Sequence, residues 1–118
     1  TIYLPSKLFA LRARLIFIAT IFLASFDGKK CGFAQLYKTF CSVEASPILV
    51  LYDLFILPEF RNKSIGTQLL DRCLSFARQI GASRIDLETS YDNAGAQKLY
   101  ESLGYERDNE FYKYSLEI

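Results

Sequence analysis

The run Arg61-Asn62-Lys63-Ser64-Ile65-Gly66-Thr67 sets two cations among small and polar residues. It follows an apolar, strand-like stretch, Ile48 to Leu57, and opens an amphipathic stretch, Ile65 to Ile80. In a strand–loop–helix of this kind the first helix amides have no intrahelical acceptor, and the helix dipole adds partial positive charge there. Arg61 and Lys63 add full charges beside those amides. The chemistry implied is binding of an anion, and a phosphate-bearing ligand above all. An ordinary strand-to-helix turn with solvated charges would read the same way locally, so the rest of the chain must decide.

The remaining reactive side chains narrow the chemistry. There is no histidine among the 118 residues, which excludes a His-based triad or zinc site. Acids and bases must come from Asp, Glu, Lys, Tyr, Cys or water, and nothing calls for a metal. Cys31, Cys41 and Cys73 are an odd number with no CxxC pair, which reads as reduced thiols in a cytoplasmic protein. A net charge of +1 argues against a broad basic surface for nucleic acid. The hydrophobic share of 51% is enough for a core, and the length suits one domain over residues 1–118. The apolar run Leu15 to Ala24 is too short to span a bilayer, so no membrane is implied. After Lys7, Arg12 and Arg14 it imitates a signal-peptide core. The turn dipeptide Asp27-Gly28 follows directly, and a buried hairpin strand explains the run without export.

These groups need elements to position them. Pro5-Ser6 with Leu8, Leu11 and Leu15 predicts a short N-terminal helix. Strands are predicted from Ala19 to Phe26 and from Lys30 to Thr39, joined at Asp27-Gly28. Cys41 to Pro47 is a loop, Ile48 to Leu57 a strand, and Pro58 stops it. Ile65, Leu69, Leu70, Cys73, Phe76, Ala77 and Ile80 recur at helical spacing, with Gly81 beyond. Alternation predicts a strand over Ser83 to Ser90. A second helix runs from Asn93 to Leu103, and two closing strands, Tyr105 to Arg107 and Phe111 to Ile118, flank a polar turn. This order implies an α/β fold with a mixed, mostly antiparallel sheet and helices on both faces.

Two familiar phosphate sites do not fit. The P-loop needs GxxxxGK[ST], and the dinucleotide loop needs GxGxxG; neither is present. The local pattern is Arg-x-x-(small)-x-Gly, which resembles the acetyl-CoA signature (Gln/Arg)-x-x-Gly-x-(Gly/Ala) of the GNAT superfamily of N-acetyltransferases. Tyr52 to Phe60 looks like the strand leading into that loop. Asn93-Ala94-Gly95-Ala96-Gln97-Lys98-Leu99-Tyr100-Glu101-Ser102-Leu103-Gly104-Tyr105 resembles the superfamily's second hallmark, Asn-x-x-Ala-x-x-Leu-Tyr-(Glu)-x-x-Gly-(Phe/Tyr). The match runs from about Thr20 to Ile118. Ser64 departs from the pattern, standing where a Gly is usual. The chain is also expected to lack the N-terminal strand and first helix of the family's core.

The resemblance implies a set of roles. Acetyl-CoA is the co-substrate and a primary amine of a small molecule or protein is the acceptor, attacked directly in a ternary complex. A non-catalytic CoA-binding or sensing module on the same fold is the alternative. Amides of Asn62, Lys63, Ser64, Ile65, Gly66 and Thr67 bind the pyrophosphate, with Arg61 adding its charge to the cofactor site. Leu54, Phe55 and Ile56 meet the pantetheine arm, and Asn93 contacts the same arm or simply caps its helix. Tyr100 protonates the departing thiolate. Asp53 is the candidate base, with Glu44 or a water chain as other routes. Tyr52, Tyr112 and Tyr114 line the acceptor side, and a homodimer through the C-terminal strands is expected.

Overall fold

The computed structural model describes residues 2–4 and 18–118. The N-terminal helix expected from Pro5 onward lies outside them. The elements are β1 (Ile2–Leu4), β2 (Ile18–Phe26), β3 (Lys29–Cys41), β4 (Ser46–Ile56), a 3-10 turn (Pro58–Phe60), α1 (Ile65–Gln79), β5 (Ile85–Leu87) and α2 (Ala94–Ser102). The chain divides into two compact units, Thr1–Glu88 and Thr89–Ile118.

The first unit holds one five-stranded sheet in the order β1-β2-β3-β4-β5. Strands β1 to β4 pair antiparallel, and β4 pairs with β5 parallel. Asp27 and Gly28 both take positive φ, which a two-residue hairpin between right-twisted strands requires. The parallel pair follows from α1, which carries the chain back across the sheet before β5 begins. Its apolar stripe, Ile65, Leu69, Leu70, Cys73 and Ala77, is buried on Phe22, Ala24, Ala34, Leu36, Leu49 and Leu51. Phe76 meets Phe22 edge to face at 5.6 Å. Truncation of a side chain as enclosed as Leu69 costs about 2–5 kcal/mol.

Two expectations are corrected. An N-terminal strand is present: Ile2–Leu4 pairs with Ile21 to Leu23 of β2. The closing strands are absent: among the described residues, 105–118 hold no strand, and Phe111, Tyr112, Tyr114 and Leu116 are exposed. Alternating aromatic residues permit a strand, but only a neighbouring ladder makes one. β5 is also shorter than Ser83 to Ser90, for a reason that lies in β4.

Candidate active site

Strand β4 carries a bulge. Gln35 of β3 faces Asp53 and Leu36 faces Leu51, so Tyr52 is the extra residue. The parallel ladder to β5 spans Leu49↔Ile85 to Leu51↔Leu87 and ends where the bulge begins. A bulge bends its strand and raises local twist. From Tyr52 to Ile56, β4 keeps β3 as its ladder partner and has left β5. Leu57 N–H donates to Cys31 C=O at 2.8 Å, on the β3 side. Strand alternation then turns the backbone groups of Leu54 and Ile56 to the open edge and those of Phe55 toward β3. Two amides, not three, are aimed outward. The Ile56 carbonyl on that edge accepts from Arg61 Nε at 3.0 Å.

The loop that follows is built from left-handed residues. Arg61 is extended, Asn62 has φ of 61°, and Ser64 has φ of 62° with ψ of 18°. Asparagine tolerates this region, whereas serine is strained there. Serine is normally a good N-cap, yet the Ser64 side chain makes no capping bond. The first intrahelical backbone bond runs from Gln68 N–H to Ser64 C=O at 3.1 Å. The amides of Ile65, Gly66 and Thr67 therefore have no intrahelical acceptor, and α1 offers its positive end there.

Arg61 and Lys63 are not simply solvated. The Arg61 guanidinium lies 5.9 Å from the Phe55 ring centre, and Lys63 Nζ lies 5.4 Å from that of Phe26. Phe26 in turn meets Phe60 at 6.0 Å. Rings from the hairpin tip and from β4 thus hold both cations beside the loop. Nothing in the sequence pairs Phe26 with Lys63; that contact depends on the β2–β3 hairpin folding back.

The bulge also sorts side chains. Asp53 lies opposite Gln35, and Phe55 opposite Phe33, on the face away from α1. The Tyr52 ring reaches the same face, meeting Tyr37 edge-on at 4.7 Å and 89°. Gln35 Nε2 donates to Tyr37 Oη at 2.8 Å. Among the described residues Asp53 has no ion pair. Glu44 is committed elsewhere: its carboxylate pairs with Arg84 and accepts from Ser83 Oγ at 2.7 Å. It sits in the turn before β4, roughly 20 Å of strand from Asp53. This clasp joins the β3–β4 turn to the start of β5 and removes Glu44 as a base candidate.

Asn93 and Tyr100 belong to the second unit. Asn93 caps α2, its Oδ1 accepting from Ala96 N–H at 3.1 Å. Gln97 Nε2 donates to the carbonyls of Ser90 and Tyr91, both at 3.0 Å, fixing the segment before the helix. Tyr100 is half-buried, and burial pushes its phenol above the ordinary value. It stays protonated through neutral pH and is suited to donate a proton. Its ring lies 5.7 Å from that of Tyr105.

A bulged strand parts from its parallel neighbour and is followed by an uncapped helix end, an arrangement that suits an extended, phosphate-tipped ligand. The chain belongs to the acetyltransferase (GNAT) family, whose model matches residues 4–105. It is thereby one of the acetyl-CoA-dependent acyltransferases. It is 41% identical over 100 residues to the uncharacterized N-acetyltransferase YhfO of Bacillus subtilis strain 168, covering 85% of this chain and 67% of that protein. It is 31% identical over 90 residues to an aminoglycoside N(6')-acetyltransferase type 1 of Salmonella typhimurium, covering 72% of this chain and 61% of that one. Among solved structures it resembles a probable acetyltransferase, with 36% identity and a TM-score of 0.76 over 92% of this chain and 72% of that one. It also resembles the aminoglycoside N-acetyltransferase AAC(6')-Iy in complex with CoA, with 27% identity and a TM-score of 0.73, over 85% of this chain and 77% of that one.

Proposed function

We propose that this protein transfers the acetyl group of acetyl-CoA to a primary amine by direct attack in a ternary complex. The observation that carries the reading is the coincidence, in one unit, of the open β4 edge with the uncapped amides of Ile65, Gly66 and Thr67. The pyrophosphate suits the helix amides, with Arg61 and Lys63 beside them. The pantetheine amides suit the backbone of Leu54 and Ile56, which an extended chain would pair as an added strand. A β4 amide near the bulge would polarise the thioester carbonyl, and positioning supplies most of the remaining advantage.

The amine must lose a proton before it attacks. Asp53, or a water held by it, is the acceptor of that proton. The nitrogen lone pair then forms the C–N bond, the carbonyl reforms, and the C–S bond breaks. Tyr100 delivers its proton to the departing sulfur and regains one from solvent. Asn93 serves the cofactor arm as well as its cap. The protein is further proposed to act in the cytoplasm as a single domain, and to self-associate through the aromatic-rich segment Phe111 to Ile118. Sedimentation at micromolar concentration should show dimers, and monomers alone reject the dimer.

Calorimetry and turnover test the main reading together. CoA should bind more tightly than dephosphorylated pantetheine, and a panel of amines should include one that is acetylated. Equal affinity for the two thiols defeats the phosphate role. Tight CoA binding with no acetylation across the panel would favour the sensing module.

A further inference from the structure

The aromatic corner at the β4 bulge has no part in holding acetyl-CoA as described above. A regular strand would put Tyr52 and Asp53 on opposite faces of the sheet. The bulge at Tyr52 brings both to the face away from α1. There the Tyr52 ring stands perpendicular to Tyr37, and Gln35 holds the Tyr37 hydroxyl. Tyr52 is 66% exposed, so its ring is available to a ligand. Next along the same face, Phe33 and Phe55 lie 6.2 Å apart. Aromatic faces and one carboxylate attract a single ammonium group, and the neighbouring apolar rings suit an uncharged body.

We infer that Tyr52, Tyr37 and Asp53 form the acceptor subsite, selecting a monocationic primary amine with an apolar or aromatic body over polycationic acceptors. The inference rests on the N-acetyltransferase reading and goes further by naming the acceptor class. The ammonium lies against Tyr52 with Asp53 beside it, which also places the proton to be lost next to its acceptor. The body extends toward Phe33 and Phe55. A polycation gains from a carboxylate for each further charge, and among the described strand residues of this face Asp86, in register with Val50, is already paired with Arg84, which leaves Asp53. Gln35 is a positioning residue: it touches no ligand but fixes the ring against which Tyr52 rests.

The test uses the full chain with 2-phenylethylamine, spermidine and an aminoglycoside as acceptors. The catalytic efficiency should favour 2-phenylethylamine by about tenfold or more. Tyr52→Ala should raise its KM about tenfold, the effect of a moderate cation–π contact, with kcat within about threefold. Tyr52→Phe keeps the ring and should restore KM, while Gln35→Leu should raise KM about threefold. In a dead-end complex with CoA, calorimetry should detect 2-phenylethylamine and not the neutral 2-phenylethanol. Preference for spermidine or the aminoglycoside, or a KM unmoved by Tyr52→Ala, overturns the subsite and leaves acetyl transfer standing. No acetylation of any amine while CoA still binds overturns both.

Discussion

Tyr100 and Ser64 carry the sharpest consequences at the scale of single residues. Tyr100→Phe keeps the ring and its packing and removes one proton. Turnover should fall by roughly ten- to a thousand-fold, overlapping the contribution of about 10²–10⁴ typical of one general acid, with acetyl-CoA affinity and melting temperature nearly unchanged. Saturating kinetics within about twofold of wild type would return Tyr100 to a packing role. Ser64 sits at φ of 62°, a region that costs a residue with a Cβ about 1 kcal/mol. Ser64→Gly removes that strain and should raise the urea-unfolding free energy by about 0.5–1 kcal/mol. CoA affinity should hold or improve, since the Ser64 hydroxyl caps nothing in the helix. A marked loss of affinity would instead make that hydroxyl a ligand contact.

Gly32 shows how one element shapes the next. A Cβ on Gly32 would stand 2.5 Å from the Phe55 carbonyl oxygen and 3.3 Å from Ile56 Cα. Strand β3 must therefore present bare backbone for β4 to lie so close. Gly32→Ala should destabilise by about 1–3 kcal/mol, as other forced overpacking does. On the proposed function it should also weaken CoA binding, because the displaced residues lead into the loop from Arg61 to Thr67. Chemical denaturation and calorimetry check the two effects, and a variant that matches wild type in both would show that β4 yields without loss. The sequence announces the hairpin, the long helix and the capped helix through turn dipeptides and periodicity. It is silent on the bulge, because a bulge exists only as a mismatch between two strands paired at long range.

The stability of the first unit is tied to pH through Cys73, fully enclosed on the buried face of α1. Burial pushes its thiol from an ordinary value of 9.0 to about 12. Between those values the unfolded chain has released a proton that the folded chain still holds. Stability is thus intact below about pH 9 and is lost as pH rises toward 12, by up to about 1.4 kcal/mol per pH unit. Tyr100, raised in the same direction, gives the second unit an alkaline loss of its own. Unfolding free energies measured from pH 7 to 11 should fall along this limb, and Cys73→Ala should flatten it. An equally steep limb in the variant would assign the alkaline loss to other groups. No described helix is long and apolar enough to cross a membrane.

By itself the sequence determined the basic loop between β4 and α1, the two helices that follow strands, the Asp27-Gly28 hairpin and the family to which they point. These are local signals: turn chemistry, capping residues and apolar period act over a few residues and survive in one dimension. Only the tertiary structure decided that β4 parts from β5 after Leu51, that Tyr52 and Asp53 share a face, and that Glu44 is spent on Arg84 and Ser83. It also decided that Arg61 and Lys63 rest on Phe55 and Phe26, and that residues 105–118 hold no strand. Each of these depends on register or on a partner distant in the chain. A one-residue slip exchanges the faces of a strand, and no local pattern fixes that slip until the neighbouring strand is in place.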